Sequence, residues 1–356
     1  MKPFLCSISL IILLCGSSNA QKFFYEEAFE RINCMLDDSC ELSFKTAVYE
    51  VENAYLEGNL DSIIFDREIR KLTVLAENLI KSRTLKYEGK DKGEVEKYAA
   101  LFSVMKDSID IQDAEGNLYK YIPYTYDFED IWGHEDWKNM FVSKLLATRK
   151  GNCHSFPYLY KILAEELGTE AYLALAPNHI YIKHRKEEGG WYNTELTSGI
   201  FPIDSWLMAS GYIHLDAITN KLYMEALSDK QSIALCLVDL AQGFERKFPE
   251  NDGSFIQKCV EAALQQYPTY ANALILKAEN FKKQLEKEAG NQDGILDNEA
   301  LEDETVRNKF LSLQNAYVRI HEMGYRKMPE EMYLDWLISL QEEREKFENK
   351  EIFNYN

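Results

Sequence analysis

The sequence predicts an α+β fold: a helix bearing Cys153 packed on a small antiparallel sheet, flanked by helical N- and C-terminal regions. Three observations predict it. Apolar residues recur at helical spacing from Lys22 to about Ile109 and again from Asp229 onward. Between those regions, Glu170–Leu175, His179–His184 and Trp191–Leu196 read as short strands, bounded by Pro177 and by the Gly189-Gly190 hairpin signal. Just before them, residues 154–167 place Leu159, Ile162, Leu163 and Leu167 on one helical face, and Gly168 follows as a C-cap. The resulting organisation is a leader over 1–20, a helical region over 21–110, the α+β core over 111–228 and a helical domain over 229–356.

Composition sets outer bounds. The chain has 356 residues, enough for two or three domains, and 46% hydrophobic with 13% aromatic residues, ample for a packed interior. A net charge of −19 argues against nucleic acid or an anionic membrane surface as the main partner.

The first twenty residues read as a secretory signal. Lys2 supplies the positive start, Phe4–Cys15 the apolar run, and Ser18-Asn19-Ala20 the small residues at the cleavage position. The expectation is an exported protein, periplasmic or secreted, cleaved near Ala20; a lipid anchor at Cys15 is the weaker alternative, because Leu14 is large for that signal. No other segment is long and apolar enough to span a bilayer, so no transmembrane segment is expected in the mature chain. Beyond the leader the cysteines are Cys34, Cys40, Cys153, Cys236 and Cys259. Cys34 and Cys40 bracket a short loop, and Cys236 and Cys259 fall on consecutive predicted helices. Two disulfides among these four, whose connectivity the sequence leaves open, would leave Cys153 as the odd thiol, and four buried free thiols are the other possibility.

Along the chain, Phe44, Val48, Val51 and Tyr55 form one helical stripe and Ile69, Leu72, Leu75 and Leu79 another, with breaks at Gly58-Asn59 and Gly89–Gly93. Gly116-Asn117 marks a turn, followed by an aromatic run through Tyr119–Asp130 that fits packing better than a substrate cleft. Trp137, Phe141 and Leu145 suggest a helix over 134–148, with His134 at its start in a surface or capping role. The apolar piece over 200–217 is expected to close the sheet. Helices follow at about 230–247, 254–266, 269–287, 303–323 and 329–346. Within them, Ala263, Pro268, Ala271, Ala273 and Ala278 resemble a tetratricopeptide helix–turn–helix, a surface suited to a protein partner. The acidic loop 288–304 lacks the alternating oxygen ligands and central Gly of a calcium loop.

The chemistry centres on Cys153. Gly151-Asn152 permits a tight approach and Pro157 fits the first helical turn, so the thiol faces a helix N-terminus. The unpaired N–H groups there favour the thiolate and can receive an oxyanion. His179 opens a strand directly after Pro177-Asn178. By alternation it shares a face with Tyr181 and Lys183, opposite Ile180 and Ile182, so the apolar side takes the core and His179 points away from it. It would serve as base for the thiol and acid for the leaving group. His154 and His184 are weaker candidates. Glu195 shares a strand face with Trp191 and Asn193 and would orient the imidazole, with Asn193 as the substitute orienter.

Gly151-Asn152-Cys153, then Pro177-Asn178-His179, then Trp191 to Glu195 resemble the core of the transglutaminase-like superfamily, whose papain-like triad is a helix-borne Cys, a strand His and an acid four residues after a Trp. The resemblance covers Gly151–Gly199 well and Tyr119–Leu215 loosely, and departs from the family in having Glu at the acid position. It implies a thiol enzyme acting on amide or peptide bonds through an acyl-enzyme, with Cys153 as nucleophile, His179 as base and acid, and Glu195 as orienter. It implies a protein or peptide substrate, no cofactor and no metal. Hydrolysis is favoured over amine transfer because no calcium machinery is legible. The alternatives are a binding protein that uses the helical domain on a retired scaffold, and a cell-envelope assembly component with no chemistry.

Overall fold

The computed structural model describes residues 21–112, 115–187, 189–289 and 300–353, with side chains up to residue 345. The segment expected to be a leader, 1–20, and most of the acidic loop lie outside the described residues. In chain order the elements are α1 (21–36), α2 (Phe44–Tyr55), α3 (Ser62–Ser82) and α4 (Lys92–Lys106). Next come β1 (Ile109–Gln112), β2 (Leu118–Tyr121), β3 (Thr125–Tyr126), α5 (Val142–Thr148), β4 (Lys150–Gly151), α6 (Ser155–Glu166), β5 (Tyr172–Ala176), β6 (His179–Arg185) and β7 (Trp191–Thr194). The remainder is helical: α7 (Asp204–Ser210), α8 (Leu215–Thr219), α9 (Asp229–Lys247), α10 (Ser254–Gln266), α11 (Ala271–Ala289), α12 (Glu304–Glu322) and α13 (Glu330–Phe353). The class is therefore α+β, mostly helical, with sheets of two or three strands.

The chain divides into two units, each built from two separated stretches. One takes the described residues up to Ser62 together with Lys230–Arg319; the other takes Ile63–Asp229 and the chain from Ile320 onward.

In the first unit, Tyr25, Phe29, Ile32 and Leu36 form the buried stripe of α1. Tyr25 sets its ring edge-on against Phe244 and Phe255, at centroid distances of 5.3 and 6.1 Å. Ser43 caps α2 by accepting from the Thr46 N–H at 3.2 Å. α10 and α11 form a helical hairpin in which Ala263, Ala271, Ala273 and Ala278 are buried, so the small side chains let the two helices approach closely. Tyr267 and Tyr270 stack across the Pro268 turn at 5.4 Å. Cys34 and Cys40 are disulfide-bonded. Cys236 and Cys259 are not disulfide-bonded: both are fully buried thiols packed inside α9 and α10, so of the two disulfides the cysteine count allowed only one forms.

The second unit carries the sheet β5-β6-β7, antiparallel throughout, with Ala176 opposite His179 and Lys183 opposite Asn193. α6 is buried along most of its surface, from Phe156 through Ala164, and packs between the sheet and α4. β3 and β4 make a short parallel pair in which Tyr126 lies opposite Gly151.

Two predicted features take a different form. The helix expected over 134–148 is a 3₁₀ turn, Trp137–Met140, followed by α5, with Phe141 extended between them at φ −89° and ψ 137°. Asp130 accepts from the N–H groups of His134 and Asp136, which fixes this stretch as a loop and leaves His134 exposed in it. Residues 200–217 do not close the sheet. Only Ile200 makes a bridge, to Glu195; Pro202 lacks the N–H a strand needs, and α7 and α8 follow.

Candidate active site

The cysteine is placed by three local devices. A Cβ on Gly151 would run into Ser155 Oγ and Leu145 Cδ1, so only glycine lets β4 pass this close to α6 and α5. Buried Asn152 caps α6 from outside: its Oδ1 accepts from the N–H groups of His154 (3.0 Å) and Ser155 (3.2 Å), while its Nδ2 donates to the Ile131 carbonyl at 3.0 Å. Cys153, half-buried, is thereby held at the mouth of the helix.

His179 follows a Pro-Asn turn. Proline in the second place and Asn178 at φ 57° in the third are the type II pattern, with asparagine tolerating the left-handed conformation. Strand alternation does not carry His179 to an open face as expected. The face that carries His179, Tyr181 and Lys183 is buried too, and the His179 side chain has 0% exposure. Trp336 of α13 covers it edge-on at 4.6 Å, and Tyr333 lies beside it.

Glu195 lies one residue beyond β7, in a tight loop where Gly199 and Ile200 donate back to its carbonyl. Its Oε1 accepts from His179 Nε2 at 3.1 Å and from the Thr197 N–H at 2.8 Å; its Oε2 accepts from the Ser198 N–H at 2.8 Å and Oγ at 2.6 Å. Four donors satisfy a carboxylate that is almost fully buried. The glutamate's length lets it be held by its own loop and still reach the imidazole. Asn193 does not share this role. Its Nδ2 donates to the Pro202 carbonyl and to Asp204, because the strand ends before Glu195 and alternation no longer relates the two residues.

Tyr333, 180 residues from Cys153 in sequence, was not legible as a site residue, yet it donates its hydroxyl to Sγ at 3.0 Å. The same oxygen lies 3.2 Å from His179 Nδ1. With the Tyr333 proton spent on sulfur, Nδ1 must donate to Oη, and Nε2 donates to a carboxylate that can only accept. Both imidazole nitrogens then carry protons, so the arrangement suits an imidazolium facing a thiolate. When the sulfur carries its proton, the Asn178 carbonyl at 3.6 Å is its acceptor.

The electrostatics agree with the donor pattern. Burial pushes the Cys153 thiol up, but the neighbouring His179 imidazolium and the Tyr333 hydroxyl bring it below the usual thiol value. Burial lowers His179, and Cys153 and Glu195 overcome that to raise it to about 9. Burial raises Glu195, and His179 and Ser198 outweigh it, leaving about 2. Lys106, brought down to about 8 by burial, donates to the Thr197 carbonyl at 3.4 Å and adds positive charge near Glu195.

The other histidines have different work. His154 Nδ1 lies 2.9 Å from the Met140 carbonyl. His184 stacks on Tyr98 at 3.9 Å and donates from Nε2 to the Tyr160 hydroxyl oxygen at 3.1 Å, whose own proton goes to the Tyr98 carbonyl, and burial lowers it to about 3, so it stays neutral. A cavity of about 420 Å³ lies on that side, lined by Tyr98, Tyr160 and Tyr192, and includes none of Cys153, His179 and Glu195. Among the described residues no three His, Cys, Asp or Glu side chains gather as a metal site needs, and no helix is long and apolar enough to cross a membrane.

No protein-family model matches the chain, and no curated protein matches it. Among solved structures the chain is similar to menin, in the crystal structure that reveals the binding site for Mixed Lineage Leukemia (MLL) protein. The identity is 12% and the TM-score 0.33, over 93% of this chain and 91% of that one. A likeness at that level assigns this chain neither fold nor function.

Proposed function

We propose that this protein is an exported, transglutaminase-like thiol enzyme that acts on amide or peptide bonds through an acyl-enzyme on Cys153, with hydrolysis favoured over amine transfer. The observation that carries the reading is the proton bookkeeping at His179: Nε2 on Glu195 at 3.1 Å, and Nδ1 on the hydroxyl that also touches the Cys153 sulfur. The thiolate attacks the carbonyl carbon, His179 Nδ1 gives its proton to the departing amine, and the neutral imidazole then takes a proton from the water that cleaves the thioester. Glu195 keeps Nε2 protonated throughout and compensates the imidazolium. Export rests on the leader-like residues 1–20.

A second reading draws on the cover over the site. Tyr333 and Trp336 leave the His179 side chain with no exposure, as a retired scaffold that binds a protein or peptide through its helical domain would allow.

The rate of Cys153 alkylation by iodoacetamide as a function of pH separates the two. The enzyme reading expects labelling that persists below pH 7, and at pH 6 a slowing of at least about tenfold in His179→Ala with the fold retained. Slow labelling with the pH dependence of an ordinary thiol, unchanged by His179→Ala, would favour the binding reading.

A further inference from the structure

β3 carries a tyrosine that the mechanism above leaves unused. Pairing of Tyr126 with Gly151, and the Asp127 N–H bond to the Gly151 carbonyl at 2.8 Å, hold this strand against the segment that leads into Cys153. The Tyr126 ring packs against Phe128 at 4.8 Å and lies nearly parallel to Phe156 at 6.4 Å, so its direction is fixed. Only 8% of the residue is exposed, and its buried hydroxyl makes no hydrogen bond. Its nearest polar neighbours are the Cys153 thiol and the Tyr333 hydroxyl, both at the weak outer edge of hydrogen-bonding reach and neither forming a full hydrogen bond with it. Buried hydroxyls are nearly always paired, so an unpaired one beside a nucleophile points to a partner that arrives with the substrate. Burial also holds this phenol far above its ordinary pKa, which makes it a donor and not a base.

A second donor sits at the same place. The N–H groups of Asn152, His154 and Ser155 go to side chains of the cap. The Cys153 N–H, at the N-terminus of α6, has no acceptor among the described residues. Tyr333 differs from Tyr126 in this respect, since its hydroxyl is already engaged by Sγ and Nδ1.

We propose that the Tyr126 hydroxyl and the Cys153 backbone N–H together bind the oxyanion formed when Cys153 attacks an acyl carbonyl. This rests on the enzyme reading above and adds a catalytic residue to it. As the Sγ–C bond forms, the carbonyl π electrons move to oxygen, which accepts from both donors. Collapse restores the C=O, expels the leaving group with the proton from His179 Nδ1, and leaves a thioester on Cys153.

Two reagents separate this role from a general effect on the thiol. Acylation by p-nitrophenyl acetate passes through an oxyanion, whereas alkylation by iodoacetamide does not. Both rates are read on the full chain and on Tyr126→Phe, with Cys153→Ala as the background. Acylation in Tyr126→Phe is expected to fall about 10²-fold while alkylation stays within about threefold. The melting temperature should hold or rise, because the change removes only an unpaired buried hydroxyl. Equal losses with both reagents, no loss with either, or a wild-type protein that alkylates as a thiolate but does not acylate would each overturn the oxyanion role. Wild-type alkylation at an ordinary thiol rate would overturn the enzyme reading itself, and this inference with it.

Discussion

At the scale of single residues, the His179–Glu195 contact makes a signed prediction. His179 is raised from 6.5 to about 9, so its contribution to stability is full below pH 6.5 and is lost as pH rises through about 9. Glu195 is lowered from 4.5 to about 2, so its contribution is full above pH 4.5 and is lost as pH falls through about 2. Glu195→Gln should therefore cost most between pH 4.5 and 6.5, about 3–5 kcal/mol for breaking a buried pair, and progressively less on either side. Denaturant melts of both proteins across pH 3–9 measure it (an approximate span set by those values), and a difference independent of pH would remove the ion pair from the account. Cys153, His179 and Glu195 were legible because each is set by its own neighbours: a glycine and an asparagine before the thiol, a Pro-Asn turn before the imidazole, a serine-containing loop after the acid. Asn193 was misplaced because alternation holds only within a strand, and β7 stops at Thr194.

Among the elements, α13 shows why part of the site was not legible. Tyr333, Trp336, Leu337 and Leu340 are its buried stripe, and in sequence such a stripe looks the same whether it covers another helix or a thiol. Trp336 donates its indole N–H to Ser210 Oγ at 3.1 Å and sets its ring edge-on against His179 at 4.6 Å. Asn178 ties the same segment down through the Met328 carbonyl at 3.2 Å. Trp336→Ala should cost about 3–5 kcal/mol through the cavity it leaves. Because Trp336 covers His179 and carries Tyr333 on the same helix, the variant should also speed labelling of Cys153 by bulky maleimides. Unchanged labelling alongside a lowered melting temperature would show that α13 supports the unit without screening the sulfur. The loop that replaced the expected helix over 134–148 was hidden for a different reason. Its apolar spacing is helical, but the Asp130 and Asp136 side chains hold the N–H groups of His134, Asp136 and Lys138 in a side-chain-bonded loop that leads into the 3₁₀ turn, an alternative to continuous helix that apolar spacing does not show.

At the scale of the whole molecule the helices were legible, but not their grouping. α1 and α2 stand next to α3 and α4 in sequence and share their helical texture, yet they belong with α9, α10 and α11. Lys258 of α10 pairs with Glu26 and Glu30 of α1 at 2.9 Å each, and Lys247 of α9 pairs with Glu57 at 2.9 Å. Exposed charges of this kind add little, so the grouping rests on the buried aromatic contacts of Tyr25 with Phe244 and Phe255. No local pattern announces a partner more than two hundred residues away. This grouping predicts which segments lose order together. Val260 is fully buried in α10, and Val260→Asp places an unpaired carboxylate in the interior of the first unit. In native-state hydrogen exchange followed by mass spectrometry, amides of α1, α2, α10 and α11 should lose protection as one set, while β5, β6 and β7 keep theirs. Loss of α3 and α4 together with α1 and α2, while α11 stays protected, would mean that the helices cooperate by sequence neighbourhood and not by the shared core.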